Sequence, residues 1–105
     1  MTSLQQREKA YEAEFAHQED LKFMARERAV KALAAWAAER LGKTGEAADA
    51  YVAEVVSADV THLEIQPTLE RVATELGPVG IGRAEVREVM YRFLTLPDAA
   101  ARGAG

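Results

Sequence analysis

The feature that most constrains this chain is a long stretch without a helix breaker. From Ser3 to Leu41 there is neither Gly nor Pro, and nearly every residue is a good helix former. Ser3 is the predicted N-cap, with Gln6 three residues later, and Gly42 fits the position that ends a helix. A helix of about 38 residues is roughly 57 Å long, whereas a compact domain of ~100 residues has a radius of gyration near 13 Å. Such a helix must bend back near its middle, or one half of it must project.

The apolar pattern indicates which half projects. From residue 23 onward large apolar residues recur at helical spacing, namely Phe23, Val30, Leu33, Trp36, Ala37 and Leu41. Before residue 23 the stripe is reduced to Leu4, Tyr11 and Phe15, and residues 3–22 carry eight charged side chains. We therefore predict an N-terminal helical arm at residues 1–20 and a bundle domain at residues 21–105, with Trp36 in the bundle core.

The remaining Gly and Pro residues divide the rest of the chain into three shorter helices. These are predicted from about Thr44 to Ala58, from near Pro67 to Leu76, and from Arg83 or Ala84 to near Pro97. Their apolar faces comprise Ala48, Tyr51, Val52, Val55 and Val56; Leu69, Val72, Ala73 and Leu76; and Val86, Val89, Met90, Phe93 and Leu94. No stretch alternates long enough to form a strand. The predicted fold class is all-α: a small four-helix bundle with a long, bent or projecting N-terminal helix.

Composition excludes several classes of function. The absence of Cys excludes disulfides, thiolate zinc sites and Cys nucleophiles. A net charge of −4 and a pI of about 5.2 argue against nucleic acid as a partner. No apolar run approaches the ~18–20 residues that span a bilayer, so we expect no membrane insertion. The start of the chain predicts neither a secretory signal nor a transit peptide, and the expected location is cytoplasmic.

Acidic residues are concentrated in the middle of the chain. Residues 46–75 hold seven of them against Arg71 alone: Glu46, Asp49, Glu54, Asp59, Glu64, Glu70 and Glu75. The favoured interpretation is that they form solvated outer faces of the helices. The alternative is an acidic patch that docks a basic surface.

The motifs that suggest chemistry are weak. Gly42-Lys43-Thr44-Gly45 resembles the end of a phosphate-binding loop, but it follows a helix and lacks the preceding Gly, so a turn is favoured. The loop at residues 77–82 is likewise interpreted as a turn or hinge. His17 and His62 lack the companions of a zinc site and are interpreted as surface residues. We expect no metal, no cofactor and no enzymatic activity.

Two aromatic residues on the charged arm call for a different interpretation. Tyr11 and Phe15 are four residues apart and share a helix face, with Arg7 on the same side. This face either folds onto the bundle or lies in a partner's groove, as amphipathic helices commonly do.

At these residues the sequence resembles a known family, the zeta subunit of alphaproteobacterial F-type ATP synthases. Residues 7–17, REKAYEAEFAH, are similar to the family's N-terminal pattern RE-x-A-x-E-x-K-FAHD-x-E. Residues 32–42, ALAAWAAERLG, are similar to LLGLWAAELLG, and residues 47–51 to its AxAY segment. The resemblance covers nearly the whole chain. Two positions depart from the pattern: Glu14 stands where Lys is usual, which reverses a charge, and Gln18 where Asp is usual.

The resemblance implies a four-helix protein that inhibits ATP hydrolysis by the catalytic head of the synthase. The N-terminal helix would insert at a catalytic interface between the alpha and beta subunits, with the gamma subunit as a further contact, and block rotation in the hydrolytic direction. The residues carried over as inhibitory are Arg7, Glu8, Tyr11, Glu12, Phe15, Ala16 and His17. The location implied is peripheral, at the inner face of the cell membrane through the synthase. The resemblance also implies weak adenine-nucleotide binding, as in some family members, although no motif in this sequence supports it. The alternative function is that of a small helical ligand-binding or regulatory protein, for example one that senses adenine nucleotides.

Overall fold

The fold is built from four helices, as the sequence predicts. A computed structural model describes the backbone of residues 2–95 and the side chains of residues 19–95. The helices are α1 (Thr2–Arg40), α2 (Gly45–Asp59), α3 (Gln66–Leu76) and α4 (Arg83–Thr95), with a short 3₁₀ turn at Gly77–Val79. Residues 2–95 contain no strand, and the fold class is all-α.

α1 is a single unbroken helix of 39 residues. At 1.5 Å per residue its length is about 58 Å, and the molecule measures 63 Å along its longest axis. The helix begins at Thr2, so the prediction of Ser3 as the N-cap is wrong, since Ser3 lies inside the first turn. The physical reason is that helix ends fray, so that sequence determines the first helical residue only to within one or two positions.

The other end of α1 follows the prediction. Gly42 has a φ of 76°, a conformation that favours glycine because it has no Cβ. The Gly42 amide donates to the carbonyl of Glu39 at 3.0 Å, and the Lys43 amide donates to that of Ala38 at 2.9 Å. This pair of hydrogen bonds is the Schellman arrangement, which satisfies carbonyls that the end of a helix leaves free. The turn at residues 42–45 therefore reverses the chain into α2 and is no phosphate loop.

The predicted starts of the shorter helices are correct in position. Thr44 precedes α2 with extended backbone angles, although its side chain makes no capping hydrogen bond. Pro67 lies in the first turn of α3, where its missing amide hydrogen costs nothing. α4 begins at Arg83, as expected.

The core lies where the C-terminal part of α1 packs against the other three helices. Its buried members are Ala29, Val30, Leu33, Ala34, Ala37, Ala38, Tyr51, Val55, Leu69, Val72, Leu76, Val86, Val89 and Met90. The predicted apolar faces supply most of these residues, and Leu41, Ala48, Val52, Val56, Ala73 and Phe93 border them as partly buried neighbours.

Three predicted core positions need correction. Phe23 and Leu94 are each 45% exposed: Phe23 lies in the exposed stretch of α1 that precedes the core, and Leu94 lies in the last turn of α4. Trp36 is partly buried: it packs at the edge of the core, and the Arg40 guanidinium lies 5.7 Å from the centre of its ring. The indole therefore has one face toward the core and one toward a cation, an arrangement that suits a large amphipathic ring.

Candidate functional site

α1 changes its environment abruptly near residue 25. All six residues from Glu19 to Met24 are exposed, although together they point in every direction around the helix. Ala25, Arg26 and Glu27 are partly buried, and Ala29 and Val30 are buried. A helix with no buried residue over almost two turns is not packed into the bundle there, although Glu19, Lys22 and Phe23 line a shallow pocket with Leu63 of the following loop. α1 therefore leaves the bundle at about residue 25 and continues as helix toward Thr2.

The sequence-predicted site residues all lie on this continuing part of α1. Arg7, Glu8, Tyr11, Glu12, Phe15, Ala16 and His17 are helical in their backbone, and their side chains lie outside the described residues. In register, positions 11 and 15 precede positions 22 and 26 by eleven residues, which is about three turns. They therefore occupy the same face of the helix as Arg26, the face that meets the bundle farther along.

Where α1 leaves the bundle, Arg26 joins it to the loop between α2 and α3. Its Nε donates to Asp59 Oδ2 at 3.0 Å, and its Nη1 donates to the Leu63 carbonyl at 3.0 Å. Its Nη2 donates to the carbonyls of Asp59, His62 and Glu64 at 3.2, 2.9 and 3.3 Å. The planar, multi-donor guanidinium suits this task. One side chain thus holds the start of the packed part of α1 against a loop that is 33–38 residues away in sequence.

A carboxyl pair lies beside Arg26. Asp59 is fully buried, and its Oδ1 accepts a hydrogen bond from the Thr68 hydroxyl of α3. Glu27 lies within hydrogen-bonding reach of Asp59, and both of its carboxyl oxygens are buried without a donor. We call Arg26, Glu27, Asp59 and Thr68 the junction cluster. It brings together α1, α2 and α3 at the base of the projecting half of α1.

The two carboxyl groups of the junction cluster differ in their pKa values. Burial, together with the hydrogen bond to Asp59 and its charge, raises the pKa of Glu27 to about 7. Burial would also raise the pKa of Asp59, but hydrogen bonds from Glu27, Thr68 and Arg26 outweigh it and hold that pKa below its usual value. The proton therefore resides on Glu27, whose hydroxyl can donate to the Asp59 carboxylate.

Sequence reasoning missed the junction cluster, although a signal was present. Asp59 was grouped with the surface acids, yet it follows Val55 by four residues and Val56 by three, in register with the apolar face of α2. Arg26 likewise precedes Val30 by four residues on the buried face of α1. A charged residue in register with an apolar stripe indicates a buried, paired charge.

The acidic block is not one continuous patch. Besides the buried Asp59, Glu54 and Glu75 both pair with Arg71, at 3.0 and 3.1 Å, and Glu70 pairs with Arg83 at 2.7 Å. The predicted solvated faces are correct for Glu46, Asp49 and Glu64, which are exposed. These ion pairs link α2 to α3 and α3 to α4. Several of the carboxylates are therefore paired with arginines inside the bundle.

An open groove of about 410 Å³ adjoins the junction cluster, on the side of α4. Leu63, Ile65, Met90 and Leu94 line it, and Leu63 is 98% exposed. Arg26 also lines the groove, but its Nε and both Nη atoms already donate within the protein. The groove therefore offers apolar surface without a guanidinium free to hold a phosphate.

Two further classes of site, metal centres and membrane spans, are absent from the part of the chain that the structure describes. Residues 19–95 contain no group of three acidic or His side chains arranged to hold a metal ion. None of the helices in the described ranges has both the length and the apolar character needed to cross a bilayer.

These features define a class: a small all-helical protein whose longest helix extends from its bundle, with no metal-binding cluster among its described residues. Within that class, the model of the family "ATPase inhibitor subunit zeta" matches residues 1–101, and the chain belongs to this family. No curated protein and no solved structure matches the chain. The family is one of inhibitor subunits of the ATP synthase, so membership implies that the chain binds this enzyme and acts as a regulator.

Proposed function

We propose that the N-terminal half of α1 is the inhibitory element, and that it enters a catalytic interface between the alpha and beta subunits of the synthase. Membership of the inhibitor family supports inhibition as the outcome. The observation that carries the proposal is the projection of α1, which is exposed on all sides over residues 19–24 while its backbone stays helical to Thr2. A helix that leaves its own bundle presents its faces to another protein.

The physical argument rests on preformed structure. A segment that is already helical loses less conformational entropy on binding than a disordered one, so more of the contact free energy remains as affinity. Tyr11 and Phe15 are the aromatic anchors, and aromatic residues dominate the energetics of such contacts. Arg7, Glu8, Glu12 and His17 supply charged and polar contacts around them, and Ala16 permits a close approach. The protein then acts by obstruction and not by catalysis.

The same proposal assigns the two parts of the chain. Residues 1–20 form the inhibitory arm, and residues 21–105 form the bundle that carries it. The partners are the alpha and beta subunits, with gamma as a further contact. Through them the protein is held at the inner face of the cell membrane.

Deletion of residues 1–18 tests the proposal. The truncated protein should keep the helical circular-dichroism signal and cooperative unfolding of the bundle, because every buried core residue within the described side chains, residues 19–95, lies at position 29 or later. It should not inhibit ATP hydrolysis by the purified synthase. Equal inhibition by the truncated and full chains would contradict the proposal.

Single substitutions then separate anchors from scaffold. Tyr11→Ala or Phe15→Ala should each weaken inhibition by about 2 kcal/mol, roughly 30-fold, with little change in stability. Leu21→Ala is the matched control: it removes an apolar side chain that is 49% exposed on the same helix, outside the arm. Glu14→Lys restores the charge usual in the family and should tighten binding if the interface is acidic there. An equal loss of inhibition in Leu21→Ala would indicate that the arm has no specific anchors.

A further inference from the structure

The junction cluster contains an unusual deficit of hydrogen-bond donors. Asp59 accepts from Arg26 and Thr68, whereas neither oxygen of the buried Glu27 carboxyl accepts a hydrogen bond. The Arg26 Nε lies 3.5 Å from Glu27 Oε2, but it donates to Asp59, which is closer at 3.0 Å. Two ionised carboxylates would therefore face a single guanidinium, with one of them unsatisfied. A proton held between the two carboxyl groups removes both problems, because protonated Glu27 becomes a donor to Asp59.

We propose that Glu27 and Asp59 share one proton, and that its loss loosens the contact between α1 and the loop connecting α2 to α3. The proton leaves from Glu27, the member of the pair nearer the surface: its side chain is 14% exposed through its carbon atoms, since both of its oxygens are buried, while Asp59 is fully buried. After the loss, the Glu27 carboxylate repels the Asp59 carboxylate and competes with it for Arg26. Arg26 is also the donor to three other loop carbonyls, so its displacement reaches the loop backbone.

The groups around the cluster are few. Helix α1 contributes Arg26, which faces the carboxyl pair. Helix α2 contributes Asp59, which belongs to the pair, and α3 contributes the uncharged hydroxyl of Thr68. The loop adds His62, a partly buried imidazole whose carbonyl accepts from Arg26. The elevated pKa of Glu27 agrees with the donor count. Because α1 leaves the bundle at the junction cluster, the protonation state of the carboxyl pair would determine how firmly the base of the projecting helix is held.

The free protein provides the primary test, which does not involve the synthase. Side-chain carboxyl ¹³C shifts of Glu27 and Asp59 are followed by NMR from pH 4 to 9, together with the protection factor of the His62 amide. That amide donates to the Asp59 carbonyl at 2.9 Å and so reports on the loop. We expect Glu27 to titrate near pH 7, and the protection of His62, corrected for intrinsic exchange, to fall about tenfold between pH 6 and 8.

Three variants identify the group responsible. Glu27→Gln keeps a permanent donor toward Asp59 and should make the protection independent of pH over this range. Glu39→Gln, an exposed position on the same helix, should behave as the wild type. His62→Asn should retain the transition. A Glu27 midpoint below pH 5, an unchanged transition in Glu27→Gln, or its disappearance in His62→Asn would each overturn the proposal.

The consequence for inhibition rests on the proposed function and is measured separately. With the loop firmly held, the arm is better ordered, and inhibition relative to the uninhibited enzyme should be several-fold stronger at pH 6.5 than at pH 8. Glu27→Gln should remove that difference, and its persistence in this variant would overturn the link to inhibition. If deletion of residues 1–18 leaves inhibition intact while the NMR transition is present, the proposed function fails and the proton-dependent junction stands.

Discussion

The two halves of α1 have similar helix-forming sequences but opposite relations to the rest of the molecule. From Ala25 to Arg40 one side of the helix is buried against α2, α3 and α4, and Val30, Leu33 and Ala37 have no exposed surface. From Glu19 to Met24 no side is buried, although Leu21, Phe23 and Met24 are apolar. Both halves are helical because Ala, Glu, Lys, Arg, Gln and Leu favour the helix wherever it lies.

The difference between the halves shows that intrinsic propensity is enough to make a segment helical, whereas tertiary packing is what stabilises it further. In the packed half, burial of apolar surface adds to intrinsic propensity, whereas over residues 19–24 propensity and side-chain pairs act without such burial. A helical segment without buried apolar surface receives little stabilisation from contacts with the rest of its own protein. Leu21, Phe23 and Met24, the exposed apolar residues of this stretch, are therefore available to a partner.

The largest effect is expected at the boundary between the halves. Asp59→Ala removes the buried carboxylate that Arg26 needs, and breaking a buried pair by removing one partner costs about 3–5 kcal/mol. The free energy of unfolding, measured by urea denaturation, should fall by that amount. Asp49→Ala is the control, since Asp49 is an exposed acid on the same helix and should change little. A loss below about 1 kcal/mol for Asp59→Ala would show that the junction cluster adds nothing to stability.

The next largest effect is a difference in stability between the same substitution, Leu→Ala, made in each half of α1. Leu33 is fully buried and Leu21 is 49% exposed, both on α1. Leu33→Ala should destabilise the protein by about 3 kcal/mol because it leaves a cavity, and Leu21→Ala by less than about 1 kcal/mol. Urea denaturation measures both, and similar costs would mean that the N-terminal half is packed after all.

A smaller effect follows from pH. The pKa of Glu27 is raised to about 7 in the folded protein from an ordinary value of 4.5, so the folded state binds a proton that the unfolded chain has released. Its contribution to stability is fully present below about pH 4.5 and is lost as pH rises through 7, a loss on the order of 2 kcal/mol. Unfolding free energies at pH 5, 6, 7 and 8 should therefore decline, and Glu27→Gln should flatten the decline. Stability that rises over this range would contradict the assignment.

The smallest effect is expected within the projecting half. Glu19 and Lys22 form an exposed ion pair at 3.5 Å, one turn apart. Such pairs contribute about 0.5 kcal/mol or less, and salt screens them. A double-mutant cycle with Glu19→Ala and Lys22→Ala, followed by thermal unfolding, should give a coupling within that limit. A coupling above 1 kcal/mol would indicate that this stretch of α1 takes part in the cooperative fold.

Sequence predicted the architecture because the architecture depends on local signals. The Gly- and Pro-free run, Gly42, Pro67 and the 3.6-residue spacing of apolar residues are all visible without knowing which helices meet. The junction cluster was missed because it depends on residues from α1, α2 and α3 that are up to 42 positions apart, from Arg26 to Thr68. Its chemistry arises only when the helices pack. The inhibitory residues came from resemblance, and they remain predictions until the arm is tested.

The hydrogen bonds from Arg26 to the loop between α2 and α3 leave the side chains of that loop open to substitution. Three of its five contacts are with the main-chain carbonyls of His62, Leu63 and Glu64, which every amino acid possesses. Replacing the side chain at position 63 should therefore change the stability of the fold little, because Leu63 is almost wholly exposed to solvent. Since the native chain contains no Cys, Leu63→Cys would create a unique attachment point for a fluorophore. A dye there would lie beside the base of the projecting helix, where its emission could report the arrival of the synthase in real time.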